Sequence, residues 1–259
     1  MNKNIIYTLG YTLFQKGNKI DTKLMFQTLK EYGIGFLVDV RTVPYSKQYP
    51  QSNAENLKYE GKKYGITYIH MPEIGAKVND AQDVFSKASD IFFENIFPIP
   101  KSNRPEHIEL QADNEIVDFN KFRNDEYFLD GLKRIETAYN KNYVLALMCS
   151  EKKPLDCHRY FLISKAIEQR FGDKFEIKHI QQIDNGEIGL ITNQELTEQL
   201  KDLVCQKFDL NSYQWFNPID NYFGTDSNER LLDFCDRYWN VIHGWKRQES
   251  EDNNFDYYD

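Results

Sequence analysis

Short apolar runs, each closed by polar residues, alternate along the chain with stretches whose apolar residues recur every three or four positions. Residues 5–9 read as a first buried strand, closed by Gly10. Asp21 is placed to cap a helix, behind which Leu24, Met25, Thr28, Leu29 and Tyr32 mark one helical face. Gly33 and Gly35 end that helix, and residues 36–40 form a second strand. Residues 55–64 are helical, Gly65 stops them, and residues 66–70 are a third strand. A further amphipathic helix over 128–139 leads into 143–148, the most continuous apolar strand of the chain. Residues 160–171 are then helical, Gly172 ends them, and 175–180 is a last strand. Strands that alternate with helices call for a parallel sheet, because each crossover needs a helix to bring the chain back. The predicted class is therefore α/β.

Two stretches depart from this repeat. Residues 80–118 mix a helix-like aromatic piece (Val84, Phe85, Ile91, Phe92, Phe93) with turn residues Pro98, Pro100 and Pro105, and read as an insertion over the top of the sheet. Residues 201–259 carry Trp215, Trp239 and Trp245 and read as a small helical extension packed on a 1–200 domain. The acidic tail, 249–259, is expected to lack fixed structure.

A hydrophobic fraction of 41% over 259 residues is enough for a real core, so global disorder is excluded. The formal net charge of -8 argues against a protein that grips duplex nucleic acid with its whole surface, although 32 Lys and Arg leave room for a basic groove. No apolar run approaches the roughly 20 residues that cross a bilayer, and the first ten residues have no signal-peptide layout. Four cysteines do not make a disulfide framework, so reduced thiols in a cytoplasm are the expectation, with no membrane partner.

In open parallel sheets ligands bind outside the carboxyl ends of the strands. Those ends deliver Thr12 after the first strand, Asp39, Arg41 and Ser46 after the second, and Glu73 after the third. The fourth delivers Cys149, Ser150 and Glu151, followed by Cys157, His158 and Arg159 just before a helix. Free N–H groups at a helix start favour an anion, and Arg159 adds a planar charged fork suited to phosphate or carboxylate. The loop is nevertheless neither a Walker A loop nor a Cys-x5-Arg loop, since Leu155 stands where the latter needs arginine. Cys157 at a helix start is a candidate thiolate nucleophile or a simple packing residue. Cys149, Cys157 and His158 are candidate metal ligands, but their spacing matches no zinc pattern and no fourth ligand is evident, so no metal is assigned. Asp39 and Arg41 either position a substrate or close a bracing salt bridge.

Four segments together resemble the bacterial DUF488 domain, a family named for its unknown function. They are Tyr-Thr-Leu-Gly-Tyr-Thr (7–12), Leu-Val-Asp-Val-Arg-Thr-Val-Pro-Tyr-Ser (37–46), Tyr-Ile-His-Met-Pro-Glu-Ile-Gly (68–75) and Leu-Met-Cys-Ser-Glu-Lys-Lys-Pro-Leu-Asp-Cys-His-Arg (147–159). With His179 and Gly186, the resemblance spans about residues 4–190. It implies a Rossmann-like parallel sheet flanked by helices. It also implies that Asp39, Arg41, Pro44, Glu73, Gly75, Glu151, Cys157, His158 and Arg159 belong to a shared polar cluster. Gly10-Tyr11-Thr12 departs from the Gly-His-Ser usual in the family, which removes one imidazole from the first loop.

Three functions compete. In the first, the protein is an enzyme acting on a phosphorylated small molecule or a nucleotide, free or within a nucleic acid. Arg41 and Arg159, with Thr12, Ser46 and Glu73, would bind the ligand, while Asp39, Glu151, Cys157 and His158 would carry the chemistry. In the second, it is a non-enzymatic module that binds an anion or nucleotide. In the third, it is a thiol redox or metal protein using Cys149 and Cys157. The pattern names no cofactor and no oligomeric state.

Overall fold

The structure is a computed structural model that describes residues 4–76, 78, 83–93, 113–183, 186–208 and 227–247. Its strands are β1 (Asn4–Gly10), β2 (Gln15–Lys16), β3 (Lys19–Ile20), β4 (Phe36–Asp39), β5 (Thr67–His70), β6 (Phe85–Lys87), β7 (Glu115–Val117), β8 (Leu145–Cys149), β9 (Phe175–Gln182) and β10 (Ile188–Thr192). Six of them form the central sheet in the order β10-β9-β1-β8-β4-β5. All neighbours in it are parallel except β10, which pairs antiparallel with β9. The fold is thus α/β with a mostly parallel sheet. The short pairs β2–β3 and β6–β7 stand apart from it.

Central β8 is buried at every residue, as a strand covered on both faces must be. Leu145, Leu147 and Cys149 join the larger apolar cluster on one face, while Ala146 and Met148 join the smaller cluster on the other. The smaller cluster is closed by the helices Thr22–Glu31 and Ala54–Tyr64. Asp21 caps the first of these by accepting from Leu24 N at 3.0 Å. Leu24 itself is exposed, and Phe26 takes its place in the buried stripe beside Met25 and Leu29. The second helix ends at Gly65, whose φ of 72° lies in the left-handed region that favours glycine.

The larger cluster is covered by the helices Glu126–Asn140, Lys165–Phe171, Asn193–Phe208 and Ser227–His243. The helix Asn193–Phe208 runs through residue 200, where the sequence suggested a boundary. Phe234, Cys235, Tyr238 and Val241 of the C-terminal helix are buried in the same core as Ile6 and Leu147. The described part of the 80–118 stretch packs on the larger cluster. Phe85, Ile91, Phe92 and Val117 pack into this face, with Phe92 against Phe234 and Val117 N donating to Trp245 O. Trp239 is partly buried against the core, whereas the Trp245 side chain is exposed. Trp215, Asp184, the three prolines of the insertion and the acidic tail lie outside the described residues. Among the described residues, no helix is long and apolar enough to cross a membrane.

Chain direction places the site. From β1 the chain leaves towards the face of the smaller cluster, and from β8 towards the face of the larger one. β1 and β8 are neighbours, so their carboxyl ends flank a topological switch point, where an open sheet leaves a crevice.

Candidate functional site

The protein fills much of that crevice with its own loop. Gly10 is the last residue of β1, and a Cβ there would lie 1.7 Å from Glu151 O and 2.8 Å from an Arg159 nitrogen. Only glycine lets the loop after β8 come down this close. Thr12 clasps it from the short helical turn after β1, donating through Oγ1 to Ser150 O at 2.6 Å. Arg159 is fully buried and donates to Glu151 O at 2.5 Å and to Lys152 O at 3.0 Å. Its guanidinium therefore braces this loop.

Around the braced loop four donor groups converge. Cys149 Sγ donates to Glu151 Oε2 at 2.8 Å, and Cys157 Sγ donates to the same oxygen at 3.0 Å. His158 Nδ1 lies 3.6 Å from Cys149 Sγ and 3.8 Å from Cys157 Sγ. One donor atom from each of the four residues falls within 4.8 Å of all the others. Cys149 is the end of a rigid strand, and Cys157 and His158 follow the short helix Pro154–Asp156. Both cysteines are buried, His158 is half-buried, and Glu151 is exposed as a residue although its carboxylate points at both thiols.

The electrostatics agree with a carboxylate among thiols. Burial pushes the Glu151 carboxyl up, but hydrogen bonds from Cys149 and Cys157 outweigh it and leave the group below its ordinary value. Burial pushes the Cys157 thiol well up, so without a cation beside it Cys157 is a protonated thiol rather than a nucleophile. Burial lowers His158, while Cys157 and Glu151 more than reverse that. Among the described residues the buried His158 Nε2 has no hydrogen-bond partner, and Nδ1 is the nitrogen aimed at the cluster.

The other predicted residues do not join this group. Register pairs Asp39 with Met148, so the Asp39 side chain faces the smaller cluster, away from Cys149. There Asp39 is wholly buried and takes three hydrogen bonds from Arg41, two from the guanidinium at 2.9 and 2.5 Å and one from the backbone N–H at 3.1 Å. Tyr68 donates to Asp39 at 2.7 Å, Arg41 donates to Ser52 O at 2.8 Å, and the guanidinium lies 5.0 Å from the Tyr11 ring centroid. This is the bracing salt bridge of the two alternatives. Ser46 closes its own loop, its hydroxyl accepting from Tyr49 N and its backbone N–H donating to Asn53 Oδ1. Glu73 is buried and paired with Arg134 on the helix Glu126–Asn140. The convergence expected of Asp39, Arg41, Glu73, Glu151, His158 and Arg159 is thus divided among separate groups.

At the helix start several N–H groups are turned to partners within the loop. Arg159 N points at Cys157 Sγ, Tyr160 N donates to Cys157 O and Cys157 N to Pro154 O. The helix opens with a π-helical stretch, Arg159–Ser164, in which Ser164 Oγ donates to Arg159 O at 2.7 Å. Sequence reasoning missed Tyr68, Ser52 and Arg134, since only the fold brings them to Asp39, Arg41 and Glu73. It also missed that Glu151 is the fourth donor beside Cys149, Cys157 and His158. The Cys-x-Glu alternation at the strand end was its one local signal.

A family model described as Domain of unknown function DUF488 matches residues 21–97. The resemblance to that family is supported over this segment, which carries Asp39, Arg41, Ser46 and Glu73 and stops short of the Cys149–Arg159 loop. Neither the curated proteins nor the solved structures yield a match.

Proposed function

We propose that this protein binds a transition-metal ion of the zinc type through Cys149, Cys157, His158 and Glu151, and that the ion is the centre of its chemistry. The observation that carries this reading is the convergence of two thiols, an imidazole nitrogen and a carboxylate oxygen within 4.8 Å. Donors about 2.0–2.3 Å from a tetrahedral ion lie roughly 3.5 Å apart. Four of the six separations, 2.8, 3.0, 3.6 and 3.8 Å, bracket that value, and the other two stay within 4.8 Å. Two sulfurs and a nitrogen select zinc-like ions over magnesium or calcium, which take oxygen ligands. A cation would also hold Cys157 as a thiolate, which the buried site by itself does not do.

The alternative of a phosphate held by Arg41 and Arg159 has less behind it. Both guanidiniums are buried and hydrogen-bonded to protein groups, on opposite faces of the sheet. A cavity of about 290 Å³ lies elsewhere, lined by Arg123, Lys165, Asp233, Asp236 and Arg237 among others. Of its cations, Arg237 is paired with Asp233 and Lys165 with Asp236, while Arg123 donates to Phe161 O and Asn120 Oδ1.

The test is metal content. Protein purified without chelator, then titrated with zinc and with cobalt(II), should bind one ion per chain, with a thiolate-to-cobalt absorption band. Cys149→Ser and Cys157→Ser should each remove that band. A wild-type protein that binds no ion, or whose two thiols form a disulfide under mild oxidation while cobalt is ignored, would sink the metal reading.

A further inference from the structure

We propose that Glu151 is the replaceable ligand of this centre, so that the ion can offer one coordination position to an anionic oxygen ligand such as a phosphate. The inference rests on the metal reading above and adds to it a division of labour among the four ligands. Cys149 is fixed in a strand hydrogen-bonded on both sides, and Cys157 is buried at the foot of a helix. His158, next in sequence, is half-buried. Cys149 and Cys157 are enclosed by packed elements, and His158 is partly enclosed. Glu151 differs in each respect. It sits in the loop beyond the strand, two residues past Cys149, and is the exposed member of the set.

The backbone around Glu151 is built so that its side chain can move alone. Arg159 holds the Glu151 and Lys152 carbonyls, and Thr12 holds that of Ser150. The loop therefore keeps its path whether or not the carboxylate is on the ion, and exchange needs only rotation about side-chain bonds. Departure of the carboxylate breaks one metal–oxygen bond. Arrival of a phosphate oxygen forms another, with no change of oxidation state. Lys152 and Lys153 follow Glu151 and are both exposed, which gives an approaching anion a positive rim. Structural zinc sites are closed by four protein ligands, whereas reactive ones hold three and leave the fourth place to water or substrate. The arrangement of three anchored ligands and one mobile carboxylate belongs with the second kind. It also gives an oxyanion something to bind that the two buried arginines do not provide.

The test uses wild-type protein loaded with stoichiometric cobalt(II), freed of excess metal, and titrated with inorganic phosphate. The expected result is a saturable change in the visible cobalt bands of the wild type. Glu151→Ala should still bind cobalt, more weakly by at least the roughly 10–100-fold that loss of a contact behind a metal ligand brings. With no carboxylate to displace, it should bind phosphate more tightly than the wild type does. A wild-type cobalt spectrum that phosphate leaves unchanged would show a closed site and overturn this inference while leaving metal binding standing. So would complete loss of cobalt from Glu151→Ala when Glu151→Gln retains it. A wild type that takes up no cobalt overturns both readings together.

Discussion

The guanidinium of Arg159 holds the backbone carbonyl of Glu151 at 2.5 Å, in the space that the absent side chain of Gly10 leaves open. Arg159 is fully buried, and its second nitrogen takes Lys152 O at 3.0 Å. Arg159→Ala would leave two carbonyls with no donor and empty a large buried volume. The expected cost is about 3–5 kcal/mol, from unsatisfied acceptors and a cavity together. Urea unfolding measures it. Lysine in the same place would bring charge without the fork and recover only part of the loss. A loss below about 0.5 kcal/mol, typical of a surface position, would show that Arg159 is not the brace described here.

Gly10 makes a separate claim on the same loop. Because its Cβ would fall 1.7 Å from a backbone oxygen, Gly10→Ala cannot be absorbed by turning a side chain. The loop must lift, and Glu151 goes with it. We expect lower stability and a weaker zinc affinity in one variant, read by thermal unfolding and by competition with a chromogenic chelator. Unchanged zinc affinity would mean that the loop's height does not set the cluster.

Asp39 provides the complementary case. It is wholly buried and satisfied by Arg41 and Tyr68, on the face of the sheet away from Cys149. Asp39→Asn removes the charge that balances a buried arginine, at a cost on the order of 3–5 kcal/mol. Zinc stoichiometry in the folded variant should stay at the wild-type value. If metal binding fails while the fold holds, the two polar groups are coupled through the sheet, and their separation as drawn is wrong.

This division explains how much the sequence could tell. Five strands are legible in the sequence: β1, β4, β8 and β9 as apolar runs, because they are interior strands of the sheet covered by helices, and the half-buried edge strand β5 from the Gly65 stop before it. β10 is not, since it is an edge strand interrupted by Gly189 and only half-buried. The loop from Cys149 to Arg159 stands out for its residue types, and it does hold the candidate centre. What could not be read is which side chains meet. Asp39 and Cys149 both end strands, yet the register of β4 against β8 decides that they face opposite ways. That register comes from packing across the sheet, and a strand's own pattern shows only alternation. Arg159 was likewise legible as a charge at a helix start. Its burial depends on Gly10, which is 149 residues away in the chain.

A last expectation concerns pH and comes from a buried histidine outside the cluster. His179 is fully buried, with Nδ1 2.7 Å from Thr8 Oγ1 and Nε2 2.8 Å from Asn193 Oδ1. Burial pushes its pKa down to about 3, and the Arg159 charge works in the same direction, against the hydrogen bond to Asn193. In the unfolded chain the same group titrates near its ordinary value of 6.5. The folded protein therefore binds fewer protons than the unfolded one throughout the window between these two values. Stability is at its full value above about pH 6.5 and falls as pH drops below it, by about 1.4 kcal/mol per unit while only the unfolded state is protonated. By pH 5 this one residue should cost on the order of 2 kcal/mol. Carboxylates elsewhere add their own pH dependence, so the measurement is comparative. Urea unfolding of wild type and His179→Gln at pH 7.5 and pH 5.0 should give a smaller difference between the two pH values for the variant, whose amide does not titrate. Equal differences in the two proteins would mean that His179 is protonated without penalty in the folded state, and that its burial is less complete than the structure has it.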